Sequence, residues 1–519
     1  MGRLKSKNVV GYVQVALSAA LTWASFPETS LWFLLPPALA LLIAAVDQVG
    51  TGRGAWYGFL WGLGFFLPHI WWAVIAVDGN PGPWAALALS QAAFMAVWGG
   101  GFAASKIWTW RQTWWGEAII AAFLWVGIEQ LRSRIPFGGF GWGKLAYSQV
   151  DSPLIVLAPI GGEVLVSFAL VFLAAILRFA FTADKTSLVR RAVFAGAFAI
   201  AMTLPLAVTL PVRSEAGTLT VAVIQGNVEV PHMTTFGIEG KVTGNHLAET
   251  KRMMENKSAS FGKEPLDIVL WGENSLDRNP QTNKLVGQMV NEASAIVEVP
   301  LMAGFIEYEG DVRYNWMGIW YPKEGLHSQK YGKQYPVPWG EYVPFRSLSE
   351  AVAPEAAQIG TDMVGIDNPP MLPVSLNDGR IVKIAMATCF EASIEPVFLD
   401  GIRLGGEIIV VPTNNSQFQD SAESTQQLQM AQFRAAETGR AAVQVSTNGV
   451  SALINPNGKV IAVTGKQEAA NLVGKLPLRT SISPAVIVAE PSARACAILS
   501  VVFVVATMGF GLAKRPRKK

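Results

Sequence analysis

The chain has 519 residues, of which 51% are hydrophobic and only 15% charged, with a mean hydropathy of +0.32. That balance excludes an ordinary soluble protein and indicates much lipid-facing surface, which 18 Trp and 26 Phe also fit. The net charge of +3 includes no strongly basic domain, so nucleic acid is not an expected partner, and two cysteines in the whole chain argue against a structural disulfide.

Residues 1–7 carry Arg3, Lys5 and Lys7. Apolar stretches follow at 9–26, 30–46, 54–77, 84–105, 117–131, 154–181 and 192–211, each near the length that spans a bilayer, the fifth marginally. The first runs straight into the next without an early cleavage site, so it reads as an anchor and not a removed signal peptide. A last apolar stretch, 486–513, ends in Lys514-Arg515-Pro516-Arg517-Lys518-Lys519. The prediction is a polytopic helical bundle of about eight spans: seven within 1–211 and one at 486–513. Arg53, then Lys106 and Arg111, then Arg178, Lys185, Arg190 and Arg191 fall in alternate loops with the N-terminal cations, while the loop at 77–80 has no Lys or Arg. Charge and parity together place both termini in the cytoplasm and residue 212 outside the cell membrane. Arg132 and Arg134 run against this pattern. His69 and Glu129 lie at or within spans, where an ionisable group is either functional or paired across the bundle. The loop Phe137-Gly138-Gly139-Phe140-Gly141-Trp142-Gly143 reads as a lipid entry face or as an aromatic belt with glycine turns.

Region 217–484 alternates strand-like and helical runs, which predicts a layered α/β domain large enough to fold without disulfides. Strands are expected at Leu219–Gln225, Asp267–Trp271, Pro300–Phe305 and Arg313–Tyr321, the last pairing with a strand before Lys330. Further strands fall at Val382–Glu391, Glu407–Pro412, Ala442–Ser446, Ser451–Ile454 and Val460–Val463, and Asn455-Pro456-Asn457-Gly458 marks a hairpin turn. Helical patterns cover 241–258, 281–298 and 422–439. Residues 345–370 lack periodicity and contain Pro354, Gly360, Gly365 and Pro369-Pro370. A loop of that length is a candidate lid or a passive surface segment.

Three polar residues close three of these runs: Glu273 after Trp271, Lys333 after Tyr331, and Cys389 within Thr388-Cys389-Phe390-Glu391. Strand ends are where layered α/β folds present reactive groups. A thiol needs activation, a carboxylate can take its proton, and a lysine can hold the oxyanion of an attacked carbonyl. Each residue alone also has a bland reading: an inert buried thiol, a capping carboxylate, a solvated lysine.

Together the segments resemble the carbon–nitrogen hydrolase (nitrilase) superfamily, whose hallmark is a Glu-Lys-Cys triad, and within it the membrane-bound apolipoprotein N-acyltransferase family. The longest match is Lys333-Gln334-Tyr335-Pro336-Val337-Pro338-Trp339-Gly340-Glu341-Tyr342-Val343-Pro344, similar to the family's Lys-x-x-Leu-Val-Pro-Phe-Gly-Glu-Tyr-Val-Pro with the same lysine-to-glutamate spacing. Cys389-Phe390-Glu391, Gln225-Gly226-Asn227, Tyr314-Asn315, Gln429-Met430-Ala431, Arg434-Ala435 and Thr447-Asn448-Gly449 resemble further family segments. There are departures. Trp271-Gly272-Glu273-Asn274 stands where the family has Trp-Pro-Glu-Thr, and Thr413-Asn414-Asn415-Ser416-Gln417-Phe418 where many members have Ser-Asn-Asp-Ala-Trp-Phe. No tryptophan follows Asn227 at the usual spacing.

The resemblance implies an α-β-β-α sandwich outside the membrane. It also implies ping-pong transfer of a fatty acyl chain from a phospholipid, through a Cys389 thioester, to the α-amino group of a diacylglyceryl-cysteine on an apolipoprotein. Glu273 is then the general base, Lys333 the oxyanion holder with N–H groups near Phe390, and Glu341 and Glu391 orient Lys333 and the loops around the cysteine. Asn315 and Thr413 are further site candidates. The chemistry needs no metal or cofactor, and one chain supplies all three residues, so a monomer suffices. Two other readings begin from the same residues: a membrane-tethered amidase that uses water, and a transporter or receptor whose soluble domain only binds.

Overall fold

The computed structural model describes residues 2–182, 188–229, 232–256, 265–352, 356–357 and 359–513. Lys185 and the basic tail 514–519, which enter the orientation argument, lie outside the described residues, as do 353–355 and 358 of the candidate lid. The chain divides into two compact units, one of Met1–Thr209 with Ile487–Lys519 and one of Leu210–Val486.

The first unit is helical. It contains α1 (Gly2–Trp23), α2 (Leu35–Asp47), α3 (Thr51–His69), α4 (Trp72–Ala76), α5 (Pro81–Ala104), α6 (Trp114–Arg132), α7 (Ala158–Thr182) and α8 (Leu188–Thr203). Most of a final helix, Pro484–Ala513, also belongs to it. The expected stretch 54–77 is two helices, because Pro68 withdraws an amide donor from the last turn of α3 and the chain breaks at Ile70 and Trp71. Helices α3 and α5 touch backbone to backbone. A side chain on Gly58 would stand 2.1 Å from the Met95 carbonyl oxygen, and one on Gly99 2.2 Å from that of Gly54. Among the described residues, four helices are long and apolar enough to cross a bilayer by length and composition: Pro81–Ile107, Pro153–Phe181, Leu188–Ala207 and Pro484–Gly511. Val9–Trp23 and Trp32–Asp47 are apolar but shorter.

Several of the ionisable groups inside this unit are paired. Glu129 accepts from the Leu145 N–H and the Ser167 hydroxyl, both at 2.8 Å. Glu163 accepts from Lys144, from Gln130 at 2.9 Å and from the Tyr147 hydroxyl at 3.0 Å. The Arg132 guanidinium is buried and donates to the carbonyls of Phe140 (3.0 Å) and Trp142 (2.8 Å). Its charge is therefore consumed within the bundle, which explains why it runs against the loop-charge pattern. Phe140 and Trp142 are buried and stacked on each other, 5.9 Å apart, so this part of the aromatic loop is internal and not an exposed belt.

The second unit contains β1 (Thr218–Gln225), α9 (His232–Gly237), α10 (Lys241–Glu255), β2 (Ile268–Trp271), α11 (Lys284–Val297), β3 (Leu301–Glu309), β4 (Val312–Tyr321) and β5 (Gly325–Gly332). It continues through α12 (Arg346–Val352), β6 (Asp362–Met363), β7 (Met371–Ser375), β8 (Ile381–Met386), α13 (Glu395–Arg403) and β9 (Ile408–Thr413). It closes with α14 (Glu423–Thr438), β10 (Ala442–Ser446), β11 (Ala452–Ile454), β12 (Val460–Val463) and β13 (Ala470–Pro477). One sheet runs β13-β1-β2-β3-β4-β5, with β6 on β4, and the other β12-β11-β10-β9-β8-β7. Val221, Val223, Ile268, Leu270 and Met317 of the first sheet interlock with Val374, Ile384, Met386, Val410 and Val443 of the second. Leu247, Met253, Val286 and Val290 of α10 and α11 cover the other face of the first sheet. Helices α13 and α14 pack on β8 and β10. The layers are α-β-β-α, as expected.

Strands β7 and β13 were not legible: β7 is a five-residue strand directly after the Pro369-Pro370 pair and itself contains Pro373, and β13 is only half-buried along most of its length and shows no clean alternation. The strand expected over Val382–Glu391 stops at Met386, and Cys389–Ser393 form a 3-10 turn beyond it. The aperiodic segment is partly ordered. Arg346–Val352 is helical, and Met363, Val364 and Ile366 donate their N–H groups to the carbonyls of Glu341, Arg313 and Lys333. Residues 363–366 are thus stitched to the lysine loop.

Removing side-chain volume between the two sheets leaves a cavity in a close-packed layer. Ile384→Ala (1% exposed) is expected to lower stability by about 2–5 kcal/mol. Ile381→Ala on the same strand, 62% exposed, is expected to change it by less than about 0.5 kcal/mol. Thermal unfolding of the detergent-solubilised protein reads the difference.

Candidate active site

The ends of β2, β5 and β8 bring Glu273, Lys333 and Cys389 together. Gly272 allows the first of these. A side chain there would press on the Thr413 carbonyl oxygen at 3.0 Å and the Thr447 nitrogen at 3.1 Å, so glycine lets the end of β2 lie against the ends of β9 and β10. Glu273 is 2% exposed. Its Oε1 accepts from Lys333 Nζ at 3.1 Å and Asn315 Nδ2 at 2.6 Å, and its Oε2 from the Asn414 N–H at 3.0 Å. Lys333, 1% exposed, also donates to Glu341 Oε1 at 2.7 Å. The other oxygen of Glu341 accepts the Val337 N–H at 2.7 Å, which closes the loop between them.

Cys389 opens the 3-10 turn with a φ of 53°, a left-handed conformation that few non-glycine residues adopt. Glu391 holds this turn against the lysine loop. Its Oε1 accepts the N–H groups of Gln334 (2.7 Å) and Tyr335 (3.1 Å), and its Oε2 the Tyr331 hydroxyl (2.7 Å) and the Thr388 N–H (2.6 Å). The cysteine turn and the lysine loop are thereby fastened to one buried carboxyl group. Burial pushes that group up to about 7, against the pull of the Thr388 N–H and the Tyr331 hydroxyl.

The electrostatics follow from burial and neighbouring charge. Burial raises Glu273 above the usual carboxylate range despite the nearby Lys333 ammonium. Burial works to lower Lys333, but the carboxylates of Glu273 and Glu341 override it and hold the ammonium well above its ordinary value. Burial and the Glu273 carboxylate push the Cys389 thiol well above its usual value, with Lys333 pulling the other way. The resting site therefore holds a neutral thiol beside a charged lysine. A buried carboxylate of raised proton affinity within reach of a thiol and an ammonium is a set able to carry out acyl transfer through sulfur.

Asn315 touches Glu273 directly, as expected of a site residue. Phe390 follows the cysteine in the same turn and is half-buried. Thr413 is placed differently: its hydroxyl donates to Asn415 at 2.6 Å, and it is the neighbouring Asn414 N–H that reaches Glu273. Gln417, where the family motif has Trp, is exposed in a 3-10 turn. Sequence reasoning missed Asn414 and Tyr331 as site partners. The signal for Tyr331 is its position two residues before Lys333 on an alternating strand, which puts both side chains on one face.

The comparisons with known proteins give the family. The family profile described as the apolipoprotein N-acyltransferase N-terminal domain matches residues 18–176, and that of the carbon-nitrogen hydrolases matches residues 263–483. An apolipoprotein N-acyltransferase of Mycolicibacterium smegmatis is 32% identical over 494 residues, covering 89% of this chain and 79% of the relative. The chain belongs to the apolipoprotein N-acyltransferase family. A second member, from Pseudomonas putida, is 28% identical over 495 residues, covering 91% of this chain and 92% of the relative. Among solved structures, an amidase of the nitrilase superfamily from Nesterenkonia AN1 aligns with 55% of this chain at 13% identity and a TM-score of 0.38.

The charges around the thiol have opposite signs and predict opposite shifts. Glu273→Gln removes an anion and is expected to move the pH midpoint of Cys389 alkylation down; Lys333→Met removes a cation and is expected to move it up. Peptide mass spectrometry after iodoacetamide pulses across pH separates Cys389 from Cys496 and checks both directions.

Proposed function

We propose that this protein is a membrane-bound apolipoprotein N-acyltransferase that works by ping-pong transfer through Cys389. Family membership supplies the reaction class. The observation that carries the residue assignment is the contact of Glu273 with Lys333 beside the turn of Cys389. In the first half-reaction Cys389 Sγ attacks the ester carbonyl of a phospholipid while its proton passes to Glu273. Lys333, with the N–H of Phe390, holds the oxyanion. Collapse breaks the ester C–O bond, Glu273 returns the proton to the leaving oxygen, and a lysophospholipid departs. In the second half-reaction the neutral α-amino group of a diacylglyceryl-cysteine attacks the thioester. It gives a proton to Glu273, and the thiolate leaves and takes that proton back. The products are an amide and the free thiol.

Asn315 and the Asn414 N–H fix the base, Glu341 fixes Lys333, and Glu391 fixes the turn. The reaction draws on no metal or cofactor. The domain reading assigns 1–211 to the bundle, 217–484 to catalysis and 486–513 to a closing span. With about eight spans and both termini in the cytoplasm, the catalytic unit faces outward, where an exported lipoprotein is met. Four long apolar helices among the described residues, and the loop cations of the sequence, support this topology. A monomer is sufficient.

Intact mass spectrometry after incubation with phospholipid is expected to show an acyl adduct on the wild type and none on Cys389→Ser. Hydroxylamine or a diacylglyceryl-cysteine peptide is expected to discharge it. Lys333→Met is expected to slow adduct formation by about 10²–10³-fold. Because burial raises Glu273, the acylation rate is expected to fall as pH drops through a midpoint above the usual carboxylate range, a limb that Glu273→Gln abolishes along with the activity. Discharge by water alone, with no transfer to the peptide, would replace this reading by a tethered hydrolase.

A further inference from the structure

Behind the base lies a second buried carboxyl group, Glu423, the first residue of α14. It is 1% exposed, and the reaction as derived does not use it. Its Oε2 accepts from Asn415 Nδ2 at 2.7 Å. Asn415 is held with no freedom to flip. Its Oδ1 accepts the hydroxyls of Thr413 and Ser446, both at 2.6 Å, and its Nδ2 also donates to Gln427 Oε1 at 3.0 Å. Those bonds set the turn after β9, and that turn presents the Asn414 N–H to Glu273 Oε2. Within the stretch that departs from the family's Ser-Asn-Asp, this chain thus has an amide at 415 and takes its carboxylate from α14.

We propose that Glu423 is a positioning residue for the base: through Asn415 it sets the 413–415 turn whose Asn414 N–H aligns Glu273 with Cys389. The proposal rests on Glu273 being the base. Glu423 also faces Glu273, Cys389 and Lys466, so its charge bears on the thiol and the base. Burial pushes Glu423 up to about 8, and in the ionised form it raises its acidic neighbours.

The test measures the Cys389 acylation rate against pH and phospholipid concentration for the full-length protein and four variants. Glu423→Ala removes the anchor and is expected to lower the maximal rate about 10–100-fold, with the half-saturating phospholipid concentration within about twofold. Glu423→Gln keeps an acceptor for Asn415 without the charge. It is expected to recover most of the lost rate. Asn415→Asp sets two carboxyl groups 2.7 Å apart and is expected to be as impaired as Glu423→Ala. Asn415→Asp/Glu423→Gln restores one carboxyl facing one amide and is expected to regain activity. Wild-type rate and pH profile in Glu423→Ala overturn the proposal, as does a double variant no better than Asn415→Asp. Glu273→Gln is the control. If it acylates normally, the assignment of the base has failed; if it is inactive while Glu423→Ala is normal, only the positioning role has failed.

Discussion

The site depends on one buried ammonium. Lys333 is almost fully enclosed and stands between Glu273 and Glu341. An unpaired cation in that position would carry a penalty of several kcal/mol, so the fold has to deliver both carboxylates to it. Glu273 comes from the end of β2 and Glu341 from the loop after β5, and the shared lysine fixes one against the other. Glu391 repeats the device with opposite sign: one buried carboxyl gathers donors from the lysine loop and the cysteine turn. Removal of either central group strands several buried polar partners at once.

The double-sheet core makes this placement reproducible. Ile384 and Met386 of β8 are locked between the sheets, so the chain leaving β8 emerges at a fixed point. The left-handed backbone at Cys389 then turns the thiol back toward the other strand ends. That conformation is unfavourable for a side-chain-bearing residue, and the Thr388 and Glu391 hydrogen bonds around the turn offset it.

Much of this was legible in the sequence, for identifiable reasons. Strand β2 is a continuous apolar run, β1 and β10 are largely apolar, and α11 and α14 carry helical patterns, so the layers followed. Strand β7 escaped because it begins beside a proline pair, and β13 because it is half-exposed and joins its sheet only through long-range antiparallel pairing with β1. In the site, Glu273, Lys333 and Cys389 were visible as polar closures of strand runs, and the family resemblance implied that Glu341 orients Lys333. Backbone donors such as the Asn414 N–H leave no trace in residue identity. Thr413 was read as a site candidate, but it is the neighbouring Asn414 that reaches Glu273, through its main chain. Glu423 looks like any acidic residue at a helix start, where the helix dipole favours one. Only the fold turns it inward. In the bundle, Arg132 was counted as a loop charge because sequence cannot tell a solvated guanidinium from one spent on two carbonyls.

The balance of charge also explains why the thiol rests protonated. Lys333 contributes one positive charge and the two carboxylates two negative ones, so a standing thiolate would add a further negative charge to a site with little water to solvate it. During the proposed attack no net charge enters. The thiol proton moves to Glu273 as the oxyanion forms, and the negative charge passes from the carboxylate to an oxygen that Lys333 also reaches. Glu273 accepts this exchange because burial has already raised its proton affinity, and Lys333 tolerates it because one of its two anionic partners, Glu341, stays in place. The same redistribution serves both half-reactions, since the leaving alkoxide, the attacking amine and the departing thiolate each exchange one proton with one carboxyl group. A site built this way transfers acyl groups between chemically different partners without rearranging its charges between the two steps.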